Sequence, residues 1–321
     1  MPNPRVTIVV VPRERFSASR ASLESLYEHT QPGFELVYVD GGSPPLVKSY
    51  LEREASKRGF ALVRTERYLS PNRARNLGFA SVTTEYVVFI DNDVLVTPGG
   101  LDHLVRCADE TGAWVVGPLY LMGAIERRFV HMAGGIVTVS EAGGRRVLHE
   151  HHRYPHTALA SIPRPLTREP VDLVEFHCML VQAATLRRLG RLDEQLLSAP
   201  EHIDLCMAVR AAGGQVYFEP AAMVSYVPPP PFHRSDLPFF LLRWSDAWNA
   251  SSLRHFNQKW HVDIQPEYAD WLTSHRRTVL EPVHQLVHRL LGWRRGTWVE
   301  KRVVHPIEAL VNDWVVRRYG C

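Results

Sequence analysis

The chain has 321 residues, 45% of them hydrophobic and 22% charged, a globular composition long enough for one large or two modest cores. A net charge of +3 gives no ground for a nucleic-acid surface over the whole protein, and no nucleic acid is expected as a partner. No apolar run reaches the roughly 18 residues of a membrane-spanning helix. Cys107, Cys178, Cys206 and Cys321 are scattered, which fits neither a disulfide framework nor a zinc site and makes a reducing compartment the default. The opening Met1-Pro2-Asn3-Pro4-Arg5 lacks the apolar core of a signal peptide. A cytoplasmic protein is expected, soluble or peripheral at a membrane.

Val6 to Val11 is a continuous β-branched run, as in a strand covered on both faces. Leu23, Leu26 and Tyr27 follow at helical spacing, and Glu35 to Val39 forms a second strand ending at Asp40-Gly41-Gly42-Ser43-Pro44. Val47, Tyr50, Leu51 and Ala55 mark a helix, Phe60 to Val63 a short strand, and Ala74 to Ala80 another helix. Tyr86 to Ile90 is the fourth strand and ends abruptly in Asp91-Asn92-Asp93. Thr97-Pro98 reads as a cap and first turn of the helix carrying Leu101, Leu104, Val105 and Ala108, before a strand at Trp114 to Gly117. Alternating strands and helices predict an α/β fold with a mostly parallel sheet, whose ligands bind at the carboxyl ends of the strands. Polar clusters at Pro12 to Arg15, Asp40 to Ser43 and Asp91 to Asp93 stand at such ends.

Residues 122–170 are rich in Gly, Arg, His and Pro and read as excursions over the active-site face, with short strand-like pieces such as Gly135 to Val139. A second ordered stretch from Val171 to Val227 holds strands at Cys178 to Gln182 and Val216 to Glu219, a helix near Ala184 to Leu189, and another after Glu201. The run Pro228 to Pro231 is a stiff connector. A helical tail follows from about Asp236. In it, Val283, Leu286, Val287, Leu290 and Leu291, then Ile307, Leu310, Val311, Trp314 and Val315, form apolar faces expected to pack on the core. Arginines outnumber acids there, so a solvated basic face, contact with a membrane surface, or an oligomer interface are the readings of its exposed side.

Asp91 and Asp93, one residue apart after a buried strand, would repel each other, which favours a divalent cation or a shared proton. Hard oxygen ligands suit Mg²⁺ or Mn²⁺ bridging to a diphosphate; an ordinary turn is the plain alternative. His149, His151, His152 and His156 lack metal-site spacing and read first as loop residues with a role in acceptor contact.

Several segments, in order, resemble the family 2 glycosyltransferases of GT-A fold. They are Val6 to Val10, Val39-Asp40-Gly41-Gly42-Ser43, Asn72-Arg73-Ala74-Arg75-Asn76-Leu77-Gly78, and Phe89-Ile90-Asp91-Asn92-Asp93, the last similar to a DXD motif. Leu189 to Glu194 and Glu201-His202-Ile203-Asp204-Leu205-Cys206, with Arg210 and Ala212-Gly213-Gly214, continue the match, which covers about residues 5–260 and ends on Phe256 to Trp260. The resemblance implies a GT-A (Rossmann-like), mostly parallel sheet flanked by helices. Residues 1–120 would form the nucleotide-sugar half, 121–235 the acceptor half, and 236–321 a helical extension.

It also implies a hexosyl-type transferase, with a UDP-sugar donor, a saccharide, lipid or small-molecule hydroxyl acceptor, Mn²⁺ or Mg²⁺, and inversion at the anomeric carbon. Val11, Pro12, Asp40, Gly41, Arg73, Arg75, Asn76, Asp91, Asn92 and Asp93 would face the nucleotide sugar. Asp91, Asp93 and His233 would serve the metal, and His177 the acceptor side unless it is a satisfied buried histidine. Glu201, His202 and Asp204 are the candidates for the general base. His202 departs from the family's usual Asp and could instead ligate metal, and helix capping is the plain reading of the two acids. A non-catalytic binder of nucleotide or sugar and a sugar nucleotidyltransferase are the alternatives. The latter lacks the glycine-rich loop expected at Val11 to Arg15.

Overall fold

The computed structural model describes residues 4–226 and 232–320. The proposed Pro228–Pro231 connector, Met1 to Asn3 and Cys321 lie outside the described residues. In chain order the first elements are β1 (Val6–Val11), α1 (Ser19–His29), β2 (Phe34–Gly41), α2 (Pro45–Arg58), β3 (Ala61–Thr65), α3 (Pro71–Phe79), β4 (Tyr86–Asp91), β5 (Val94–Val96), α4 (Gly100–Thr111) and β6 (Val115–Met122). Next come β7 (Phe129–Met132), β8 (Gly135–Ala142), β9 (Arg145–His152), β10 (Thr157–Ala158), β11 (Glu169–Val171), β12 (Cys178–Gln182), α5 (Ala183–Leu189), α6 (Glu201–Ala211) and β13 (Val216–Tyr226). The C-terminal region holds α7 (Leu237–Arg243), α8 (Asp246–Trp260), β14 (Asp263–Ile264), α9 (Glu267–Arg276), α10 (Glu281–Val299) and α11 (His305–Tyr319).

Among the described residues, eleven strands form one mixed sheet with the path β10-β7-β6-β12-β4-β1-β2-β3, and β13 joins β6. β3, β2, β1 and β4 run parallel, and β12 enters antiparallel between β4 and β6. β1 and β4 are buried at every position, the physical reason their sequences are unbroken apolar runs. α3 can lie close on β1 and β2 because Gly78 offers no side chain: a Cβ there would sit 2.4 Å from Val9 Cγ1. Gly42, just past β2, has φ of 78° in the left-handed region, which lets the chain turn away from the sheet edge.

Four expectations need correction. The middle of the chain is a long β-hairpin, β8–β9, completed by β14 into a three-stranded sheet, because its alternating residues have a buried side that begins at Leu148. Thr97 does not cap α4: its hydroxyl donates to the Met223 carbonyl, and the helix starts at Gly100. β13 continues well past Glu219 to Tyr226, across an irregularity in its pairing with β6.

The amphipathic tail faces are turned the other way. Leu286, Leu290, Leu310 and Trp314 are exposed, Leu290 at 71%, whereas α11 buries Glu308, Asn312 and Val315. The inner side of α11 is held by polar bonds from Arg276 and, of its apolar stripe, by Val315 alone, packed with Leu242 and Trp248.

Candidate active site

Val11 and Asp91 end neighbouring strands in register. Asn92 then ties the loop after β1 to this end: its Oδ1 accepts from the Arg13 backbone N–H, and its Nδ2 donates to the Arg15 carbonyl and Ser19 Oγ. Its amide is used for positioning. Asp91 is fully buried and accepts from Arg13 and Arg75, each at 3.2 Å, with His177 Nδ1 3.5 Å away. Burial would raise its carboxyl, but His177 and the two guanidiniums outweigh that and hold it below the usual range.

Asp93 is in the opposite condition. Both its carboxylate oxygens are buried without a hydrogen bond to any described residue. Burial first, then repulsion from Glu14 and Asp91, push its pKa well above normal. A buried acid with no donors is costly unless a proton or cation compensates it, so Asp93 is chemically suited to a hard divalent ion. It opens on a groove of about 530 Å³ shared with Arg15, Ser17, Phe232 and His233.

The other nucleotide-side residues divide into two groups. Asp40, at the end of β2, is buried and accepts from Ser43 N–H and Oγ and from Arg64. Gly41 lies beside Pro12 and Leu69. Arg73 is on the exposed side of α3, whereas Arg75 is buried, stacked 3.8 Å from the Phe176 ring centroid. Asn76 bonds Leu192 through both its amide oxygen and nitrogen and also reaches Glu194, so it locks α3 to the loop after α5.

On the other side of Arg13 lies a cleft of about 550 Å³. Its polar floor comes from β7, β9, the segment before β12, and α6. His202 Nε2 lies 2.7 Å and His152 Nε2 2.9 Å from Glu150 Oε1. His131 Nε2 is 2.8 Å from Glu175 Oε2, and His177 Nε2 is 3.5 Å from the same oxygen. Burial lowers His177 to about 4, helped by the positive charge of Arg13, so its ring is neutral near pH 7. Burial opposes charging of His152 too, but the bond from Glu150 prevails and raises it to about 9.

His149 and His151 point to the far face of the hairpin, bonded to Ser140 and Thr138; the period-2 geometry of β9 separates them from Glu150 and His152. His156 lines the cleft. The outer wall is aromatic and comes from the C-terminal region: Trp244, Tyr268, Trp271 and His275. His275 also pairs with buried Glu14 at 3.0 Å, fastening α9 to the loop after β1.

The three candidate bases differ in surroundings. Glu201 is bound by Arg243 at 2.9 Å and lies 3.6 Å from Arg75; burial would raise its carboxyl, but these cations keep it below normal. Asp204 accepts from Lys259 and Trp260 and does not line the cleft. His202 does line it, with its pKa raised because Glu150 outweighs burial. His131, Glu150 and Glu175 were not singled out by the sequence; the alternation Leu148, Glu150, His152 on one side of a strand is the signal that would have found two of the cleft residues.

A mixed sheet with carboxylates at its strand ends, a groove and an adjoining cleft is an α/β arrangement of the kind that places ligands at the carboxyl ends of its strands. The profile of glycosyl transferase family 2 matches residues 7–169, just over half the chain, and the chain belongs to that family. An uncharacterized protein of Sinorhizobium fredii is 29% identical over 217 residues, 65% of this chain and 23% of that protein. The pre-mycofactocin glycosyltransferase of Mycobacterium tuberculosis is 25% identical over 221 residues, 69% of this chain and 42% of that one. The chain thus spans less than half the length of these relatives.

Among solved structures, GalNAc-T7 with UDP, GalNAc and Mn²⁺ superposes with a TM-score of 0.55 at 14% identity, covering 99% of this chain and 58% of that one. The mannosyltransferase PcManGT of Pyrobaculum calidifontis, with GDP-Man and Mn²⁺, gives 0.51 at 14% identity, covering 98% and 86%. The fold is of the GT-A type.

Proposed function

We propose that the chain transfers a sugar from a nucleotide-diphospho sugar to a hydroxyl acceptor, with inversion at the anomeric carbon. The observation that carries this is the donorless, buried carboxylate of Asp93 at the end of the parallel strands, next to a large cleft with imidazole and carboxylate groups on its floor. Family membership supports it, and so does a fold shared with proteins that hold UDP or GDP-Man together with Mn²⁺. Asp93, with Asp91 and His233 nearby, would hold Mn²⁺ or Mg²⁺, and the bound ion would neutralise the leaving diphosphate. Asp40 would accept hydrogen bonds from the base or ribose of a UDP-sugar.

The acceptor would lie in the cleft against Trp271 and Tyr268, whose rings suit the apolar face of a sugar. Its hydroxyl would be activated by the histidine–glutamate cluster as a whole, because Glu201 and Asp204 are held by other cations. The domain division at residues 120 and 235 goes with this reading, except that the acceptor wall draws on α7 and α9. Calorimetry with UDP and GDP, each with and without Mn²⁺, tests the donor site. Metal-dependent binding that Asp93→Ala abolishes is the expected result. Unchanged affinity in that variant would remove Asp93 from the site, and a preference for GDP would reassign the donor.

The exposed Leu290, Trp293, Trp298 and Leu310, beside Arg289, Arg294, Arg295 and Arg302, support a peripheral membrane contact for a cytoplasmic enzyme. Co-sedimentation with anionic vesicles that is lost in Leu290→Asp/Trp293→Asp is expected. Concentration-dependent self-association without vesicle binding would assign the face to a second copy.

A further inference from the structure

We infer that the cleft floor is a second divalent-cation site, formed by Glu150, His152, Glu175 and His202 and suited to a borderline ion such as Zn²⁺. One ligand atom from each of these residues can be chosen so that all lie within 4.8 Å of one another. Glu150 Oε1 already stands between the two imidazoles, and His152 Nε2 is 3.8 Å from Glu175 Oε1. A metal with bonds of about 2.0–2.2 Å to nitrogen and oxygen would part the two short contacts by roughly half an ångström and draw the longer one in.

The supports are firm. Glu150 and His152 share one side of β9, His202 is in the first turn of α6, and Glu175 is held from its other oxygen by His131. Such an outer partner fixes the orientation of a ligating carboxylate.

The ligand set also separates this site from Asp93. Mixed imidazole and carboxylate ligands suit Zn²⁺, whereas carboxylate with phosphate oxygens suits Mg²⁺ or Mn²⁺. All four residues line the cleft, so an ion held there would be within reach of an oxygen of the acceptor. That last step rests on the cleft being the acceptor site; the cation site itself does not. His177 stands between the two centres, 3.5 Å from Glu175 on one side and 3.5 Å from Asp91 on the other.

The test is calorimetric titration of Zn²⁺ into the chelator-treated 321-residue chain, in the Asp93→Asn background so that the first site is silent. One tight equivalent is expected. His152→Ala and Glu175→Gln should each weaken it by more than about 100-fold, and His131→Ala by roughly 10- to 100-fold as an outer partner. Co²⁺ should give visible absorption bands that His152→Ala abolishes, and His202→Gln takes its place if that variant does not fold. Absence of stoichiometric Zn²⁺ binding in the folded Asp93→Asn protein overturns the proposal, as does unchanged affinity in folded His152→Ala or His202→Gln. In the parent protein, with Asp93 intact, Zn²⁺ binding at this site without any Mn²⁺-dependent nucleotide binding would leave this site standing and remove the donor reading; nucleotide binding without Zn²⁺ binding here would do the opposite.

Discussion

Among the described residues, Asp91, Glu201 and Glu14 each have a hydrogen-bonded or ion-paired partner, whereas Asp93 has no hydrogen bond. Glu201 illustrates the cost of disturbing the set. Removing it in Glu201→Ala would leave Arg243 without its carboxylate and Arg75 with Asp91 alone, and the expected loss is about 3–5 kcal/mol in urea unfolding. Glu14 provides the pH dependence. Burial would raise its carboxyl, but His275, Arg13 and the Tyr226 hydroxyl hold it well below its ordinary value of 4.5. As pH falls, the unfolded chain takes up this proton first, so the stabilisation is complete above about 4.5 and drains as pH drops toward the lower folded value. Unfolding measured between about pH 6 and 3.5 should therefore fall less steeply in Glu14→Gln than in the parent. A parallel fall in both proteins would show that the His275 pair contributes nothing to folding.

At the level of elements, close packing of α3 on β1 rests on Gly78. Gly78→Ala would press a methyl group into Val9 and Val39, and a loss of about 1–3 kcal/mol is expected in thermal or urea unfolding. Conversely, Leu286→Asp/Leu290→Asp should melt like the parent, because both positions are exposed in α10. The contrast explains what could be read in advance. Strands such as β1 and β4 declare themselves because burial on both faces demands unbroken apolar runs, and the polar residues at their ends then mark the site. Period 3.6 in α10 and α11 declares a helix with an apolar face but says nothing of what covers it. On α11 the inner side turned out to be Glu308, Asn312 and Val315, since the guanidinium of Arg276 was available to pair with it. The floor of the cleft was legible only in pieces, in the alternation of Glu150 and His152 and in His202, and not as one cluster. His131, Glu150, Glu175 and His202 come from four separate pieces of chain, and only the sheet topology brings them together.

For the whole molecule, Arg276 is the fastening of the last helix. It is fully buried and bonded to Glu308, Asp246 and the Trp244 carbonyl, so Arg276→Ala should cost about 3–5 kcal/mol and release α11 first in hydrogen exchange. The C-terminal region is structural in a second way. β14 pairs with β9 through Asp263 and Ile264, while Phe240, Trp244 and Phe256 pack with Leu148, Leu196 and Ile203. The strand bearing Glu150 and His152 is thereby written in two distant parts of the gene. A nonsense codon or a proteolytic nick after Asp246 would spare every strand of the large sheet, along with Asp40, Asp91 and Asp93. It would leave β9 as a bare edge and strip Tyr268, Trp271 and His275 from the opposite wall. On the proposed function, the shortened product would be an occupier of donor with nowhere to pass the sugar, able to compete for substrate with the intact chain.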